Sequence, residues 1–554
     1  MDNKPWHRFY DYSVPASIRR PQLSVADLLQ IPANSYPDKA AIHFLGREIT
    51  FWELRRLVLR MANALGAMGV QKGDRVGLQL PTCPQYIIAY YAALTLGAIV
   101  VNINPIYKPD ELEGVFTSTG ISVLFTIDSA LPTVADLCRR VEIKRVIVTR
   151  LNDYEGSKAQ ATKPPPLEPG WLYFSAVLDG SQSTKRPYVD IAAEDPALIQ
   201  FTGGTTGIPK GAVLTHGNVV SATIGQSLWI SPVVKLTPPA RRFVLGAIPF
   251  FHIYGNIAVI NLSVFNCATQ ILVPQFQADS MMETLSQYKE ILLFPTVPTM
   301  ISAVISHPRA EELELDKKLG MLNSGGAPMP VEIINRIRDM GIFYSEGWSM
   351  SETTCAGTQN PILGRSKVGS IGIPVIDTDV RLVDLDSGLD EVAPGQPGEM
   401  VIQGPTVTKG YWNNPGETAL QIRDGWLHTG DIAKQDEDGY FFIIDRKKDM
   451  IIAGGFNIYP REIDEVLHQH PKVQSAISVG IPDDYRGETV KAFVVLKNGE
   501  RTTADDILAF CREKLAAYKV PRMVEFRESL PQSAVGKVLR RMLRDEEVEN
   551  RKKS

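Results

Sequence analysis

Between residues 52 and 69, apolar side chains recur at Leu54, Leu57, Val58, Met61 and Leu65. This is the i, i+3, i+4, i+7 spacing of one helical face, and Gly66 and Gly69 offer stops. A short strand is predicted over 75–80. The pattern then repeats, with a helix over 85–96 and a strand over 99–102, a helix from Pro109 and a strand over 123–127, and a helix from Val134 and a strand over 145–149. Helix and strand in alternation predict an α/β fold with a doubly wound parallel sheet. The uncharged run 86–101 is 16 residues long and broken by Gly97. That is short of the ~20 residues a membrane span needs, so it reads as a buried helix followed by a buried strand. From 152 to 188 the periodicity lapses into Pro164-Pro165-Pro166, Pro169, Lys and Ser. A surface loop with at most one short strand is expected there, as an insertion rather than a domain boundary.

Alternation resumes at Pro196, and strand-like segments at 399–402 and 439–444 crowd the stretch 369–445, which predicts a small β unit. The dense cluster Asp445-Arg446-Lys447-Lys448-Asp449, followed by Ile451-Ile452-Ala453-Gly454-Gly455, marks a hinge. Beyond it a compact α+β domain is expected, with a helix from Pro460, strands over 475–479 and 491–497, and a helix over 503–515. The expected organisation is a large N-terminal domain, 1–445, of doubly wound α/β subdomains plus a small β unit, followed by a C-terminal domain, 446–554.

Composition narrows the function. With 58 Lys plus Arg against 62 Asp plus Glu, the net charge of −4 lacks the basic excess of a dedicated nucleic-acid binder. At 44% hydrophobic and 22% charged, the 554 residues are globular in composition and long enough for three or more folding units. Cys83, Cys138, Cys267, Cys355 and Cys511 are scattered, odd in number and without a C-x-x-C pair. Neither a disulfide framework nor a zinc site is expected, and a reducing cytoplasm is. The first 20 residues carry no apolar targeting core, and Arg551-Lys552-Lys553-Ser554 is neither a prenylation box nor a peroxisomal signal.

The sharpest chemical signal is Phe201-Thr202-Gly203-Gly204-Thr205-Thr206-Gly207-Ile208-Pro209-Lys210-Gly211, preceded by a strand-like apolar run. Glycines let backbone N–H groups approach an anion, threonine hydroxyls add donors and a lysine adds fixed charge, so the segment reads as a phosphate cradle. The alternative is a Gly/Thr-rich turn. Because Gly211 follows Lys210 and the glycine spacing differs, it is not the Walker motif.

With this loop the chain resembles the adenylate-forming superfamily, which comprises acyl- and aryl-CoA synthetases, beetle luciferases and the adenylation domains of peptide synthetases. The resemblance covers nearly the whole chain, and further motifs follow in the family's order. Pro249-Phe250-Phe251-His252-Ile253-Tyr254-Gly255 resembles the aromatic motif at the acyl pocket. By itself His252 reads as a core histidine or as a neighbour of the substrate carboxylate, and the resemblance implies the second. Phe251, His252, Tyr254, Gly255 and Gly326 are the implied pocket residues. Peptide-synthetase domains place an Asp in this motif to pair with an amino group. None is present, and an unpaired buried ammonium is costly, so an acid without an α-amine is expected.

Asn323-Ser324-Gly325-Gly326-Ala327-Pro328 looks like the family's small-residue loop beside nucleotide and acyl group, although small residues also mark tight turns. Glu346-Gly347-Trp348-Ser349-Met350-Ser351-Glu352 resembles the next motif, with Ser349 and Ser351 departing from its commonest letters. The resemblance implies that Trp348 stacks on adenine, Ser351 binds phosphate and Glu352 holds Mg²⁺, a hard cation suited to carboxylate and phosphate oxygens. In Trp426-Leu427-His428-Thr429-Gly430-Asp431, the implied role of Asp431 is to accept the ribose hydroxyls, with Arg446 beside ribose or phosphate. The resemblance also implies that Lys448 takes the pivot position and that Gly454 and Gly455 line a CoA channel, while Lys447 is expected to be a solvated charge.

Leu530-Pro531-Gln532-Ser533-Ala534-Val535-Gly536-Lys537 resembles the last motif. Lys537 is implied to bridge carboxylate, α-phosphate and ribose, lowering the cost of bringing two anions together. Its alternative is a surface lysine. Thr202, His252 and Glu352 complete the implied catalytic set. The cofactor-binding set is Thr202, Gly203, Gly204, Thr205, Thr206, Gly207, Lys210, Gly325, Gly326, Ala327, Glu346, Gly347, Trp348, Ser349, Ser351, Asp431, Arg446 and Lys537.

The resemblance implies an ATP-, Mg²⁺- and coenzyme A-dependent carboxylate–CoA ligase whose mobile C-terminal domain rotates about Lys448 between two steps. A medium- or long-chain fatty acid is expected, and an aryl or phenylpropanoid acid is the alternative. A carrier-protein adenylation enzyme fits less well, since 17 residues follow Lys537, and a luciferase-like oxidase shares the same adenylation motifs. A non-catalytic nucleotide-binding protein predicts decayed motifs, which this chain does not have. Lys519, Arg522 and Arg540 are candidates for the CoA phosphates. Expected partners are small molecules, with no nucleic acid and no transmembrane segment; peripheral membrane contact and a monomer or homodimer remain open.

Overall fold

The computed structural model describes residues 4–156, 164–202, 210–327, 329–454, 456–483, 485–532 and 538–553. Its chain forms two compact units, Met1–Asp379 with Gln403–Leu427, and Val380–Ile402 with His428–Ser554. Residues 380–402 and 428–445 therefore group with the C-terminal segment rather than with the residues before them.

The first unit repeats one local device. In the helix Phe51–Ala67, Thr50 caps the N-terminus by accepting from the Glu53 N–H at 3.1 Å, and Leu54, Val58, Met61 and Leu65 are buried. The next helix, Pro84–Thr95, starts on a proline and is buried all round, the state its uncharged sequence demands. These helices alternate with a seven-stranded sheet in the order Leu172–Tyr173, Arg145–Thr149, Val123–Ile127, Arg75–Gln79, Ile99–Asn102, Pro196–Thr202, Lys210–Thr215. All its neighbours are parallel except the last pair. A nine-stranded sheet carries Phe243–Gly246, Ile291–Thr296, Leu319–Ser324 and Phe343–Trp348. The stretch expected to be loop contains, besides its short strand, a helix at Phe174–Asp179 that buries Phe174, Val177 and Leu178. Six residues are too few for periodicity to announce a helix.

In the second unit, Phe441–Arg446 pairs antiparallel with Trp426–Gln435. A further sheet orders Phe456–Ile458, Ile451–Ala453, Gly487–Leu496 and Val473–Asp483, with Met523–Phe526 joining Gly487–Leu496 in parallel. Helices Pro460–His468 and Ala504–Lys514 bury Ile463, Leu467, Ile507 and Cys511 in that sheet's core. Among the described residues, no helix is long and apolar enough to cross a membrane.

Candidate active site

Thr202 ends one strand and Lys210 begins its antiparallel neighbour, directly opposite. The strands close because position 211 is glycine, where a Cβ would stand 2.7 Å from Ile199. Gly203, Gly204, Thr205, Thr206 and Gly207, the centre of the expected cradle, lie outside the described residues. At its rim Lys210 forms an ion pair with Glu417 and sits 5.9 Å from the ring centroid of Tyr411. The Tyr411 hydroxyl donates to Glu352 Oε1 at 2.9 Å. Burial, reinforced by the Glu352 charge, holds that phenol protonated far above its ordinary range. Glu352 is 5% exposed, and its backbone carbonyl accepts from the Thr408 N–H at 2.7 Å. Lys210 and Glu352, far apart in the chain, are thus joined through Tyr411.

The aromatic motif is held by its own turn and by the small-residue loop. His252 Nδ1 accepts from the Tyr254 N–H at 3.2 Å, which places the proton of the neutral ring on Nε2. At Gly255 a Cβ would lie 2.3 Å from the Pro249 carbonyl oxygen, so only glycine allows this turn. Tyr254 donates to the Asn323 carbonyl at 2.7 Å and accepts from the Thr296 N–H at 3.2 Å. It fastens the aromatic motif to the small-residue loop, where a Cβ on Gly325 would meet the Tyr254 ring at 3.8 Å and Gly326 has φ +81°. Ala327 is half-buried beside them.

Behind the motif runs a neutral polar network. The Tyr86 hydroxyl donates to Asn102 Oδ1 (2.6 Å) and lies 3.0 Å from the Phe250 carbonyl oxygen. Asn102 donates to Gln200 (2.9 Å), and Gln200 donates to the Phe251 carbonyl (3.0 Å). Ile253–Gly255 continues into a π-helical segment, Asn256–Asn261, and then Leu262–Phe265. There Asn261 Nδ2 donates to the Asn256 carbonyl at 3.0 Å, Tyr90 donates to Asn256 (3.1 Å) and Tyr91 to Asn261 (3.0 Å). A π-turn needs such support, and turns of this kind are frequent at functional sites.

On strand Phe343–Trp348, Glu346 braces the small-residue loop by accepting from the Met329 N–H at 3.2 Å. A Cβ on Gly347 would stand 2.7 Å from the Thr358 carbonyl, and one on Gly357 2.8 Å from the Trp348 ring. Trp348 therefore lays its ring edge over a bare backbone. Ser349 Oγ lies 3.8 Å from Cys355 Sγ, and burial pushes that thiol up to about 11, so it is no thiolate nucleophile at neutral pH. Ser351, half-buried, opens the short turn that carries Glu352. Thr354 and Cys355, which follow, both have positive φ (49° and 61°), a conformation costing about 1–3 kcal/mol per residue.

In the second unit, strand pairing sets Asp431 opposite Arg446, and Arg446 Nε reaches Asp431 Oδ1 at 3.0 Å. The two residues implied for ribose are thus neighbours, on a carboxylate only 4% exposed. Lys447, expected to be solvated, instead reaches buried Glu399 at 3.0 Å. Glu399 also accepts the Gly430 N–H at 3.2 Å and lies 3.6 Å from His428 Nδ1, so the lysine answers a buried charge. Lys448 is exposed in the turn after the strand. Gly454 has φ +59°, and a Cβ there would find its nearest neighbour, Arg486 Cγ, only at 4.0 Å. Gly455 and Lys537 lie outside the described residues. Arg540, a candidate for CoA phosphates, is instead enclosed by Asp445, Asp449 and Asp464, and Lys519 is held by Glu462. Neither is an uncommitted cation.

Tyr411 and Glu417 escape the sequence reading. The available signal is Gly410-Tyr411-Trp412 in a polar stretch, with a Cβ on Gly410 meeting Thr418 at 2.5 Å. Gln200 and the tyrosines behind the motif read simply as strand and helix.

The family of AMP-binding enzymes matches residues 29–412, and the AMP-binding enzyme C-terminal domain matches 462–537. A long-chain-fatty-acid–CoA ligase of Bacillus subtilis is 39% identical over 562 residues, covering 99% of either chain. A feruloyl-CoA synthase of Amycolatopsis is 37% identical over 514 residues, 92% of this chain and 96% of its own. Among solved structures, an anthranilate CoA ligase in complex with anthranoyl-AMP superposes with a TM-score of 0.85 at 26% identity, covering 97% of this chain and 99% of its own.

Proposed function

The chain belongs to the AMP-binding enzyme family and is an acyl-CoA ligase, and from that premise we propose that it activates a medium- or long-chain fatty acid through the residues described above. One observation carries the substrate class. The aromatic motif runs directly into Ile253–Phe265, a buried helical stretch without a single charged side chain, so an acid's tail would meet neutral surroundings.

In the first step a carboxylate oxygen attacks the α-phosphorus of ATP, the bond to the bridging oxygen breaks, and pyrophosphate leaves. In the second the CoA sulfur attacks the acyl carbonyl and AMP leaves. Lys210 would exchange Glu417 for phosphate oxygens, Asp431 with Arg446 would hold ribose, and His252 would sit by the acid's carboxylate. Lys537 would offset the meeting of two anions. Glu352 suits a magnesium ion that arrives with ATP. Its buried oxygens are hard donors, Tyr411 fixes one of them, and the described residues contain no group of three metal-ligating side chains that would hold an ion without phosphate. Bound there, the ion would neutralise charge on the departing pyrophosphate. The mixed anhydride is labile to water, which is the reason to separate the two steps by a turn of the C-terminal residues about Lys448, with Gly454 and Gly455 beside the incoming pantetheine. A cytoplasmic monomer or homodimer, with any membrane contact peripheral, completes the reading.

The aryl alternative draws support from the feruloyl-CoA synthase relative. Pyrophosphate release with CoA, measured across straight-chain acids from acetate to palmitate plus benzoate and coumarate, separates the two. A maximum among the medium or long straight chains is expected, and a preference for ring acids would transfer the protein to the aryl branch.

A further inference from the structure

Three carboxylates meet the Arg540 guanidinium. Asp464 lies at 2.6 Å, and Asp445 and Asp449 each at 3.4 Å. Asp464 also accepts the Ser478 N–H at 2.6 Å. Asp445 accepts the Arg446 N–H (2.7 Å) and the Arg461 N–H (2.8 Å), while Arg461 Nη1 donates to the Ile443 carbonyl at 2.9 Å. Burial raises the carboxyl pKa of both Asp445 and Asp464. Buried carboxylates in excess over a single guanidinium repel one another, so this arrangement is not one that stability alone selects.

Position 448 sorts these bonds into two classes. Arg540 with Asp449 and Asp464 lies wholly after it, and those bonds survive any turn about Lys448. The bonds Arg540–Asp445, Arg461 N–Asp445 and Arg461–Ile443 cross it, and a turn there must break them. Once they break, Arg540 keeps two carboxylates, so opening strands no buried cation.

We propose that Asp445, gripped by Arg540 and Arg461, is a latch across the Lys448 pivot, holding one of the two working arrangements and opening once in each turnover. This rests on the ligase reading and on Lys448 as its pivot. Asp445 and Arg461 are accordingly positioning residues, setting the balance between the half-reactions without touching substrate.

The test uses the full chain with Asp445→Asn, and with Arg461→Met as a second variant. ATP–pyrophosphate exchange reports the first half-reaction, and conversion of preformed acyl-adenylate plus CoA to thioester reports the second. The ratio of the two rates should shift by about fivefold or more in both variants. Asp464→Asn, which alters only bonds on one side of the pivot, should lower the melting temperature and leave the ratio within about twofold. Limited trypsin cleavage at Arg446, Lys447 or Lys448 in the unliganded chain should run several-fold faster with Asp445→Asn. A ratio that stays put, or cleavage that does not quicken, overturns the latch. If the unaltered protein catalyses neither half-reaction, the ligase reading falls instead, and cleavage alone decides the latch.

Discussion

Two regions of the molecule bury polar groups of opposite kinds. Behind the aromatic motif the first unit encloses neutral side chains in two hydrogen-bonded groups, one of Tyr86, Asn102 and Gln200 and one of Tyr90, Tyr91, Asn256 and Asn261. The second encloses charges: Asp445, Asp449 and Asp464 around Arg540, and Glu399, which pairs with the part-exposed Lys447. Neutral networks do not titrate, and they fix one register rigidly, as a π-turn requires. Charged clusters have partners to exchange and protons to take up, which suits the parting and rejoining proposed for Asp445 and Arg540. The comparison teaches that the first region is suited to hold a shape, and that the second has what the proposed latch needs in order to change one.

That contrast can be broken or sharpened in four ways. Lys537→Ala should cut ATP–pyrophosphate exchange by about 10²–10³-fold while ATP binding persists, the scale of losing one electrostatic stabiliser. Exchange at the unaltered rate removes Lys537 from the mechanism. Next in size, Asn261→Leu removes the donor to the Asn256 carbonyl and the acceptor for Tyr91, leaving buried groups unpaired. A loss of about 2–4 kcal/mol in denaturant unfolding is expected for the first unit. Little change would mean the π-turn supports itself.

Tyr411→Phe removes one hydrogen bond to Glu352 and should raise the KM for MgATP by about three- to tenfold with kcat nearly kept. A fall in kcat alone would place Tyr411 in the transition state. The smallest effect concerns pH. Burial lifts the Asp464 carboxyl to about 6, above the ordinary 3.8. The native state therefore holds a proton that the unfolded chain releases between those values, and this contribution to stability is present below 3.8 and lost as pH rises through 6. The melting-temperature advantage of the unaltered chain over Asp464→Asn should widen by a few degrees as pH is lowered from about 7 to about 4. An advantage that narrows would show the carboxylate form to be the one the fold favours.

Much of this is legible in the sequence, and its limits are physical. The helix Phe51–Ala67 and the strands around it are announced by apolar spacing, because one face of each is buried and the other is not. The turn at Gly255 is local as well; the glycine stands out within its aromatic motif, and its neighbours leave no room for a side chain. Tyr411 is missed because its meaning lies in Glu352, 59 residues earlier. The partners of Arg540 and Lys447 are missed for the same reason, since Asp464 and Glu399 stand far from them in the chain. The π-turn is invisible, because its extra residue is supported by side-chain hydrogen bonds from a different helix.

The most direct test of the central claim is a single turnover with labelled palmitate and MgATP in the absence of CoA, followed by a CoA chase. The account predicts enzyme-bound acyl-adenylate and one equivalent of pyrophosphate before the chase, then thioester and AMP together after it. ADP and phosphate as products, or no acyl-adenylate until CoA is present, would contradict it.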